Sequence, residues 1–154
     1  TVTAGNASGI VDGAAAVVLA GENSEVAKGR PVLGTVKGWY TIGVDPSIMG
    51  IGPAPAIRGV LDAHHLSISD IDLFEINEAF AAQYIAVEKE LDLDRDKVNV
   101  NGGAIALGHP LAMTGTRLIL TILHELRRRG GGLGVASACI GGGQGIAVLV
   151  ESES

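Results

Sequence analysis

Aromatic residues are scarce in this chain of 154 residues, at 3% of the total, and only one cysteine is present. A single cysteine excludes an internal disulfide and indicates a reducing compartment. Charged residues are also few, at 18%, but the hydrophobic content of 47% is too high for an intrinsically disordered chain. No charge-free apolar run approaches the ~20 residues that a membrane-spanning helix needs, so none is predicted.

Basic residues are outnumbered, with 11 lysines and arginines against 17 acidic residues and a formal net charge of −6. The only basic cluster is Arg127 to Arg129, whose simplest role is to face the negative end of a helix dipole. This balance argues against a nucleic-acid partner. The four histidines lack the spacing of metal ligands, so no metal site is expected.

Glycine is abundant in contrast, since the 23 glycines are roughly twice the ~7% average. They do not repeat as G-X-Y, which excludes collagen. Eleven lie between Gly5 and Gly59 and twelve between Gly102 and Gly145, with none in the 42 residues that separate Gly59 from Gly102. Because glycine destabilises helices and strands, the gap predicts regular structure and the dense regions predict loops.

The hydrophobic pattern predicts alternating strands and helices. The predicted strands cover residues 32–44, 72–76, 98–100, 133–138 and 146–150, and the predicted helices cover residues 56–65, 78–91 and 114–129. A further buried strand is predicted at Ala15–Leu19, and Thr114 is the predicted N-cap of the last helix. The order βαβαβαββ is typical of a layered α/β domain, here with a five-stranded mixed sheet and helices on its faces. The short final turn makes the last two strands antiparallel.

Three loops follow predicted strands, where α/β proteins place their ligands. Asn77 lies in E-I-N-E-A-F at a strand-to-helix junction, either as an N-cap or as an amide that holds a water or an oxyanion. His109 lies between Gly108 and Pro110 in a narrow turn, as a base, an oxyanion donor or a structural histidine. Cys139 meets a glycine turn whose N–H groups would lower the thiol pKa, unless the cysteine is simply buried and inert.

Five stretches, taken in order, resemble the thiolase family. They are T-A-G-N-A-S-G from Thr3, P-S-I-M-G-I-G-P from Pro46, N-E-A-F from Asn77, N-V-N-G-G-A-I-A-L-G-H-P from Asn99 and C-I-G-G-G-Q-G from Cys139. Each stretch alone is a weak signal, but five in order with nearly the family spacing are highly specific. The resemblance covers essentially the whole chain but only the C-terminal part of a thiolase.

The family's fold consists of two similar βαβαβαββ halves packed face to face. By this resemblance, residues 1–29 are the tail of the first half and residues 30–154 form the second. The nucleophilic cysteine and the CoA-binding loop domain of the family lie upstream, so this chain alone is expected to be inactive and to need the N-terminal half as its partner. The chain begins with Thr1 rather than methionine, which indicates a processed or partial polypeptide.

The resemblance also implies roles for individual residues. Cys139 is the acid/base that removes or returns the α-proton of acetyl-CoA, and His109 activates the upstream nucleophile and donates to the thioester oxyanion. Asn77 positions a water in the same oxyanion hole, and the N–H of Gly141 serves a second hole. The positions that match substrate and CoA contacts are Ser8, Met49 and Phe80. The chain departs from the family at Ala112, where glycine is usual, and this affects the expected acyl-chain preference.

The expected function is acyl transfer to CoA in fatty acid metabolism such as β-oxidation, by thiolysis of 3-ketoacyl-CoA or Claisen condensation of acetyl-CoA. CoA and acyl-CoA are substrates, and no permanently bound cofactor is expected. The complete protein is expected to be a homo-oligomer, a dimer or tetramer, in the cytoplasm, with the mitochondrial matrix and the peroxisome left open. Two alternatives remain: a split or non-catalytic acyl-CoA-binding subunit, and a ketoacyl synthase-type condensing enzyme, a class that lacks the Cys139 motif.

Overall fold

Four strands and four α-helices make up the computed structural model, which describes residues 1–153. The strands are β1 (Thr35–Gly43), β2 (Leu73–Ile76), β3 (Gly132–Ile140) and β4 (Gln144–Ser152). The helices are α1 (Pro53–Ala63), α2 (Ala81–Leu91), α3 (Ala104–Leu107) and α4 (Thr114–Arg128). Three short 3-10 turns span Pro46–Ile51, Ile68–Asp70 and Arg95–Lys97.

The strands form one mixed sheet in the order β1-β4-β3-β2. Strand β2 runs parallel to β3, while β4 is antiparallel to both β3 and β1. The predicted β3–β4 hairpin is confirmed and closes where Ile140 pairs with Gln144. Its turn requires glycine, because Gly142 and Gly143 adopt φ values of 87° and 89°, in the left-handed region.

Helices cover both faces of the sheet, because successive residues of a strand point to opposite sides. On β2, Phe74 packs in one apolar cluster with residues of α1 and α2, whereas Leu73 packs with residues of α4. On β3, Val135 likewise faces the α1 side, and a side chain at Gly134 would face α4. The predicted α/β class is confirmed, and the two helical faces are consistent with the expected layers.

The described residues form a sheet of four strands rather than the predicted five. The segment expected to be the additional strand, residues 98–100, contributes only a parallel bridge between Val98 and Phe74. The cause is the next residue, since Asn99 has a φ of 48° and turns the backbone away from an extended course. Its side chain replaces the lost pairing: Oδ1 accepts from the N–H of Ile76 at 2.8 Å, and Nδ2 donates to the carbonyl of Ile76 at 2.9 Å.

The N-terminal stretch also differs from its prediction. No strand forms at Ala15–Leu19, and Val18 and Leu19 are 87% and 78% exposed rather than buried. Within residues 1–153, no strand lies beside this segment, so its backbone has no partner for a ladder of hydrogen bonds. A β-prone composition alone therefore does not produce a strand here.

The helix boundaries differ modestly from prediction. Helix α1 begins at Pro53 rather than residue 56, since proline fits a first helical turn, where N–H groups have no intrahelical partner. Helix α2 begins at Ala81 rather than residue 78, because residues 77–80 bind neighbouring segments instead of continuing a helix. The short helix α3 lies where only a loop is predicted. Residues 77–80, the loop after β2, are therefore held by hydrogen bonds to other segments rather than by a helix.

We expect Gly134→Ala to destabilise the protein. A Cβ at Gly134 would stand 2.5 Å from Cδ1 of Ile122 and 3.0 Å from Cδ1 of Leu126, inside the contact between β3 and α4. Overpacking of this kind costs about 1–3 kcal/mol. Urea unfolding of the full-length protein measures the effect, and Gly115→Ala is the matched control, because nothing lies within 4 Å of a Cβ at Gly115. Equal unfolding free energies for Gly134→Ala and the wild type would contradict this packing.

Candidate active site

Asn77 lies at the carboxyl end of β2, where it is 1% exposed. Its backbone N–H donates to the carbonyl of Ser137 at 2.9 Å, which prolongs the parallel pairing of β2 with β3. Parallel strands end at the same edge of a sheet, and Cys139 lies two residues beyond Ser137 on β3. The structure therefore places Asn77 and Cys139 at one edge of the sheet.

His109 reaches this edge from the turn between α3 and α4. Gly108 makes the turn with a φ of 90°, and the N–H of His109 donates to the carbonyl of Gly9 at 2.9 Å. The imidazole Nε2 lies 3.3 Å from Nδ2 of Asn77, and Nδ1 lies 2.6 Å from Oγ1 of Thr114. The structure thus brings two predicted site residues, His109 and Asn77, into direct hydrogen-bond contact.

A carboxylate joins the loops that carry Asn77 and His109. Glu78 accepts a hydrogen bond from a backbone N–H of α3 at 3.1 Å and another from Nδ2 of Asn99 at 3.4 Å. A Cβ at Gly103 would collide with this carboxylate, so glycine at that position permits the approach. The G-G dipeptide ahead of His109 therefore lets the neighbouring loop pack against its backbone.

Cys139 is partly buried near the end of β3, opposite Gly145 of β4. Of the two effects weighed for Cys139, burial outweighs the glycine turn, because it raises the pKa of the thiol. Among the described residues, its thiol makes no hydrogen bond to His109 or Asn77. Gly141 lies exposed in the following turn, with no atom within 4 Å of a Cβ built there. The site thus holds a protonated thiol beside an open backbone turn.

A buried ion pair lies on β2, two residues before Asn77. The Glu75 carboxylate, whose side chain is 3% exposed, lies 3.8 Å from Nη1 of Arg117 on α4. Burial raises the pKa of Glu75 to about 7, while Arg117 opposes this shift and Glu78 adds to it. Burial, followed by the positive charge of Arg117, lowers the pKa of His109. Neutral imidazole therefore predominates at neutral pH.

Several buried polar atoms in this region have no hydrogen-bond partner within residues 1–153. They are Oε2 of Glu75, Oδ1 of Asn77 and both Nη atoms of Arg117. Native proteins leave few buried polar atoms unpaired. Asn77 therefore presents an unused acceptor beside the histidine.

The three positions expected to contact substrate lie around the start of α2. Ser8 donates from both its N–H and its hydroxyl to the carbonyl of Ala79, at 3.0 and 3.1 Å. Phe80, the next residue, is 37% exposed and is bridged to the same N-terminal segment. Met49 lies on a 3-10 turn that packs on α2. The structure therefore brings Ser8 and Phe80 together, with Met49 on a separate element.

The sequence does not predict the contacts of three polar residues that hold the site, Glu78, Asn99 and Thr114. Thr114 is predicted only as an N-cap. It is instead the first residue of α4, after Met113 in the cap position, and its hydroxyl contacts the imidazole of His109. Each of the three is visible in the sequence. An acidic residue directly follows Asn77, an asparagine lies three residues before the glycine pair, and a hydroxyl lies five residues after the histidine.

Residues 1–153 contain no cluster of three or more His, Cys, Asp or Glu side chains that could hold a metal ion. In the same residues, no helix has the length and apolar character required to cross a membrane. The polar groups that gather at the sheet edge are an imidazole, an amide and a thiol.

Comparison with known proteins points to one family. The family model described as "Thiolase, C-terminal domain" matches residues 30–152. The chain is 60% identical over 152 residues to the mitochondrial 3-ketoacyl-CoA thiolase of Homo sapiens. That match covers 99% of this chain and 38% of the relative. It is 54% identical over 151 residues to the acetyl-CoA acetyltransferase of Escherichia coli strain K12. That match covers 98% of this chain and 38% of the relative.

A solved structure agrees with these relatives. The crystal structure of human mitochondrial 3-ketoacyl-CoA thiolase in complex with CoA matches with a TM-score of 0.95 at 59% identity. The match covers 99% of this chain and 39% of that chain. The chain therefore spans about two fifths of the length of the relatives that it resembles.

The expectation of a cytoplasmic protein is wrong. The human relative is named as mitochondrial, and a relative in Petunia hybrida, 54% identical over 153 residues, is named as peroxisomal. The expectation depended on a single cysteine, and a low cysteine count indicates reducing surroundings without distinguishing one intracellular compartment from another.

Glu75→Gln should flatten the pH dependence of stability. Folding raises the pKa of Glu75 from 4.5 to about 7, so the stability that protonated Glu75 contributes is present below pH 4.5 and is lost as the pH rises through about 7. A shift of this size corresponds to about 3 kcal/mol. Urea unfolding of the full-length protein at several pH values measures the free energy of unfolding.

The matched control is Glu90→Gln, which removes a carboxylate from an exposed ion pair with Arg58 and should keep the wild-type pH dependence. Wild-type and Glu75→Gln curves that run parallel between pH 4.5 and about 7 would contradict a raised pKa at Glu75.

Proposed function

The chain belongs to the thiolase family, and from this premise we propose that it is the C-terminal part of an enzyme that transfers acyl groups to CoA. The proposed reactions are the thiolytic cleavage of a 3-ketoacyl-CoA and its reverse, the Claisen condensation of acetyl-CoA. The observation that carries the proposal is the hydrogen-bonded pair of His109 and Asn77 at the sheet edge that also bears Cys139. A base, an oxyanion-binding amide and a second acid/base are the groups that this chemistry needs.

His109 is the proposed base for a nucleophilic cysteine. Only neutral imidazole can accept a proton, and burial together with Arg117 lowers the pKa of His109 in the required direction. The thiolate then attacks the thioester, and covalent acyl transfer splits one difficult step into two easier ones. The nucleophile itself is proposed to lie in a part of the protein that precedes this chain.

Cys139 is the proposed acid/base for the α-proton. The α-proton of a thioester is only weakly acidic, so its removal needs a strong base and a preorganised site for the enolate oxygen. A thiol whose pKa is raised by burial yields a more basic thiolate than an ordinary cysteine, and it can donate a proton at neutral pH. One residue can therefore serve both directions of the reaction.

Asn77 and Gly141 are the proposed sources of oxyanion stabilisation. The Oδ1 atom of Asn77 is buried and has no partner among the described residues, so the amide can hold a water between itself and a substrate oxygen. Gly141 lies exposed in the turn after Cys139, where a backbone N–H can reach a ligand. Loss of one oxyanion donor typically slows catalysis by ~10²–10³-fold.

CoA and acyl-CoA are the proposed substrates rather than resident cofactors. The human thiolase of known structure was crystallised with CoA, at 59% identity to this chain. Ser8, Met49 and Phe80 are the proposed contacts, and the partly exposed Phe80 ring beside Ser8 supports this role. Ala112, exposed in the turn after His109, is proposed to influence the acyl-chain preference.

The N-terminal part of a longer protein is the proposed partner, without which this chain is inactive. The chain covers 38% of the length of its human relative. Ile10 and Leu111 are 88% and 70% exposed. Ile10 follows Gly9, whose carbonyl accepts from the N–H of His109, and Leu111 lies two residues after His109, so exposed apolar side chains flank the His109 segment. The family match that begins at residue 30 supports assigning residues 1–29 to the preceding domain. The complete protein is proposed to be a dimer or tetramer.

Two assays on the full-length protein test this function: CoA-dependent cleavage of 3-ketoacyl-CoA substrates, and formation of acetoacetyl-CoA from acetyl-CoA. We expect both activities, their loss in His109→Gln, and no activity from residues 1–154 expressed alone. Co-expression with the preceding part of the protein should restore activity. A full-length protein that binds acyl-CoA but performs neither reaction would favour a non-catalytic subunit instead.

Cys139→Ala in the full-length protein should abolish exchange of the α-protons of acetyl-CoA with solvent deuterium, because it removes the proposed base. Mass spectrometry of acetyl-CoA measures the exchange. Acylation of the nucleophile, seen as an intact-mass increase, should persist and serves as the control for a folded site. Near-normal exchange in an acylated Cys139→Ala protein would refute the base role.

A further inference from the structure

A hydroxyl on α4 contacts the imidazole of His109 on the side away from Asn77. The Oγ1 atom of Thr114 lies 2.6 Å from Nδ1 of His109 and 3.0 Å from the carbonyl oxygen of Pro110. Thr114 is 2% exposed, so both contacts are shielded from solvent. The opposite ring nitrogen, Nε2, lies 3.3 Å from Nδ2 of Asn77. Each ring nitrogen therefore has one fixed polar neighbour.

These contacts determine which ring nitrogen carries the proton. A carbonyl oxygen only accepts, so the 3.0 Å contact is a hydrogen bond only if the Thr114 hydroxyl donates to Pro110. A hydroxyl has one proton, so Thr114 must then accept from Nδ1–H of His109. The reverse arrangement would leave two oxygen atoms 3.0 Å apart with no hydrogen between them. Nε2 is thus unprotonated and accepts from the Asn77 amide.

Burial and the charge of Arg117 keep the imidazole of His109 neutral, so only one of its two ring nitrogens carries a proton. Arg117, on the same helix as Thr114, disfavours a second positive charge on His109, and burial acts in the same direction. A neutral imidazole has one N–H and one lone pair, and the group bonded to one nitrogen determines what the other can do.

We propose that Thr114 is a positioning residue that holds His109 in the Nδ1–H tautomer and leaves Nε2 free to act as the base. The tautomer follows from the contacts alone, whereas its catalytic consequence rests on the proposed function. In that function, the S–H bond of the nucleophile breaks and an N–H bond forms at Nε2, which gives a thiolate and an imidazolium. The thiolate then forms a C–S bond to the thioester carbon.

The same proton transfer converts Nε2 from an acceptor into a donor. The negative oxygen formed by thiolate attack can therefore accept a hydrogen bond from Nε2–H, which did not exist before the transfer. When the intermediate collapses, the C–S bond to CoA breaks and the CoA thiolate takes the proton from Nε2. His109 thus acts first as a base and then as an oxyanion donor, the two roles that the family resemblance implies. What Thr114 adds is the lone pair on Nε2 before the transfer, because it accepts the proton of Nδ1.

Nitrogen-15 NMR of histidine-labelled full-length protein tests the tautomer without any assay of activity. Protonated and unprotonated ring nitrogens resonate far apart, and His109→Gln identifies the His109 signals. At a pH where the imidazole is neutral, we expect a protonated Nδ1 and an unprotonated Nε2. A protonated Nε2 in the wild-type protein overturns the proposal, whether or not the protein proves to be an acyltransferase.

Three variants test the consequence. Thr114→Val keeps the shape but removes the hydroxyl, and it should shift His109 toward the Nε2–H tautomer. It should also lower kcat by about 10–100-fold, the loss seen when a metal-bound histidine loses the outer partner that fixes its tautomer. KM should stay unchanged, because buried Thr114 cannot touch substrate. Thr114→Ser restores the hydroxyl and should restore both the tautomer and most of kcat.

Thr116→Val is the matched control, because Thr116 lies on the same helix and its hydroxyl makes no hydrogen bond within residues 1–153. It should change neither the tautomer nor kcat. A Thr114→Val protein that keeps both the Nδ1–H tautomer and the wild-type kcat overturns the positioning role. If Thr114→Val does not fold, the tautomer of the wild-type protein still decides, because a protonated Nε2 overturns the proposal.

Discussion

One side chain amide supports the whole site. Asn99 bonds both the N–H and the carbonyl of Ile76, the last residue of β2, and so continues the sheet where a neighbouring backbone is lacking. Asn77 follows immediately, and its own position against β3 depends on that register. The Nδ2 atom of Asn99 also contacts Glu78, which binds the loop leading to His109. The Asn99 side chain therefore supports the position of Asn77 and, through Glu78, the position of the loop that carries His109.

The second constraint is that neighbouring segments approach so closely that a side chain would not fit, and glycine occupies these positions. A Cβ at Gly145 would collide with the backbone of Gly52, and a Cβ at Gly108 would collide with the side chain of Val11. Gly103 similarly makes room for Glu78. Gly103 and Gly108 lie in the segment that leads to His109, and Gly145 lies on β4 opposite Cys139, so each close approach is next to a site residue. The high glycine content is thus a consequence of assembling a site from loops that come from distant parts of the chain.

The sequence was sufficient for the class of fold, the hairpin and the residues at the sheet edge, because these depend on periodicity, on turn glycines and on motifs. It was not sufficient for the fifth strand, since residues 98–100 have a strand-like composition and only the left-handed φ of Asn99 ends their pairing. It also left the direction of the Cys139 pKa shift open, because the effect of a glycine turn can be read locally whereas burial by distant segments cannot. The tertiary partner of Thr114 was hidden for the same reason.

The raised pKa of Cys139 has a consequence for the durability of the protein. Oxidants and alkylating agents react with thiolates and scarcely with thiols, so a cysteine kept protonated resists sulfenic acid formation and chance modification. Burial thus keeps the Cys139 thiol in its less reactive, protonated form. A chemical probe for thiolates is therefore expected to leave Cys139 unlabelled in the resting protein.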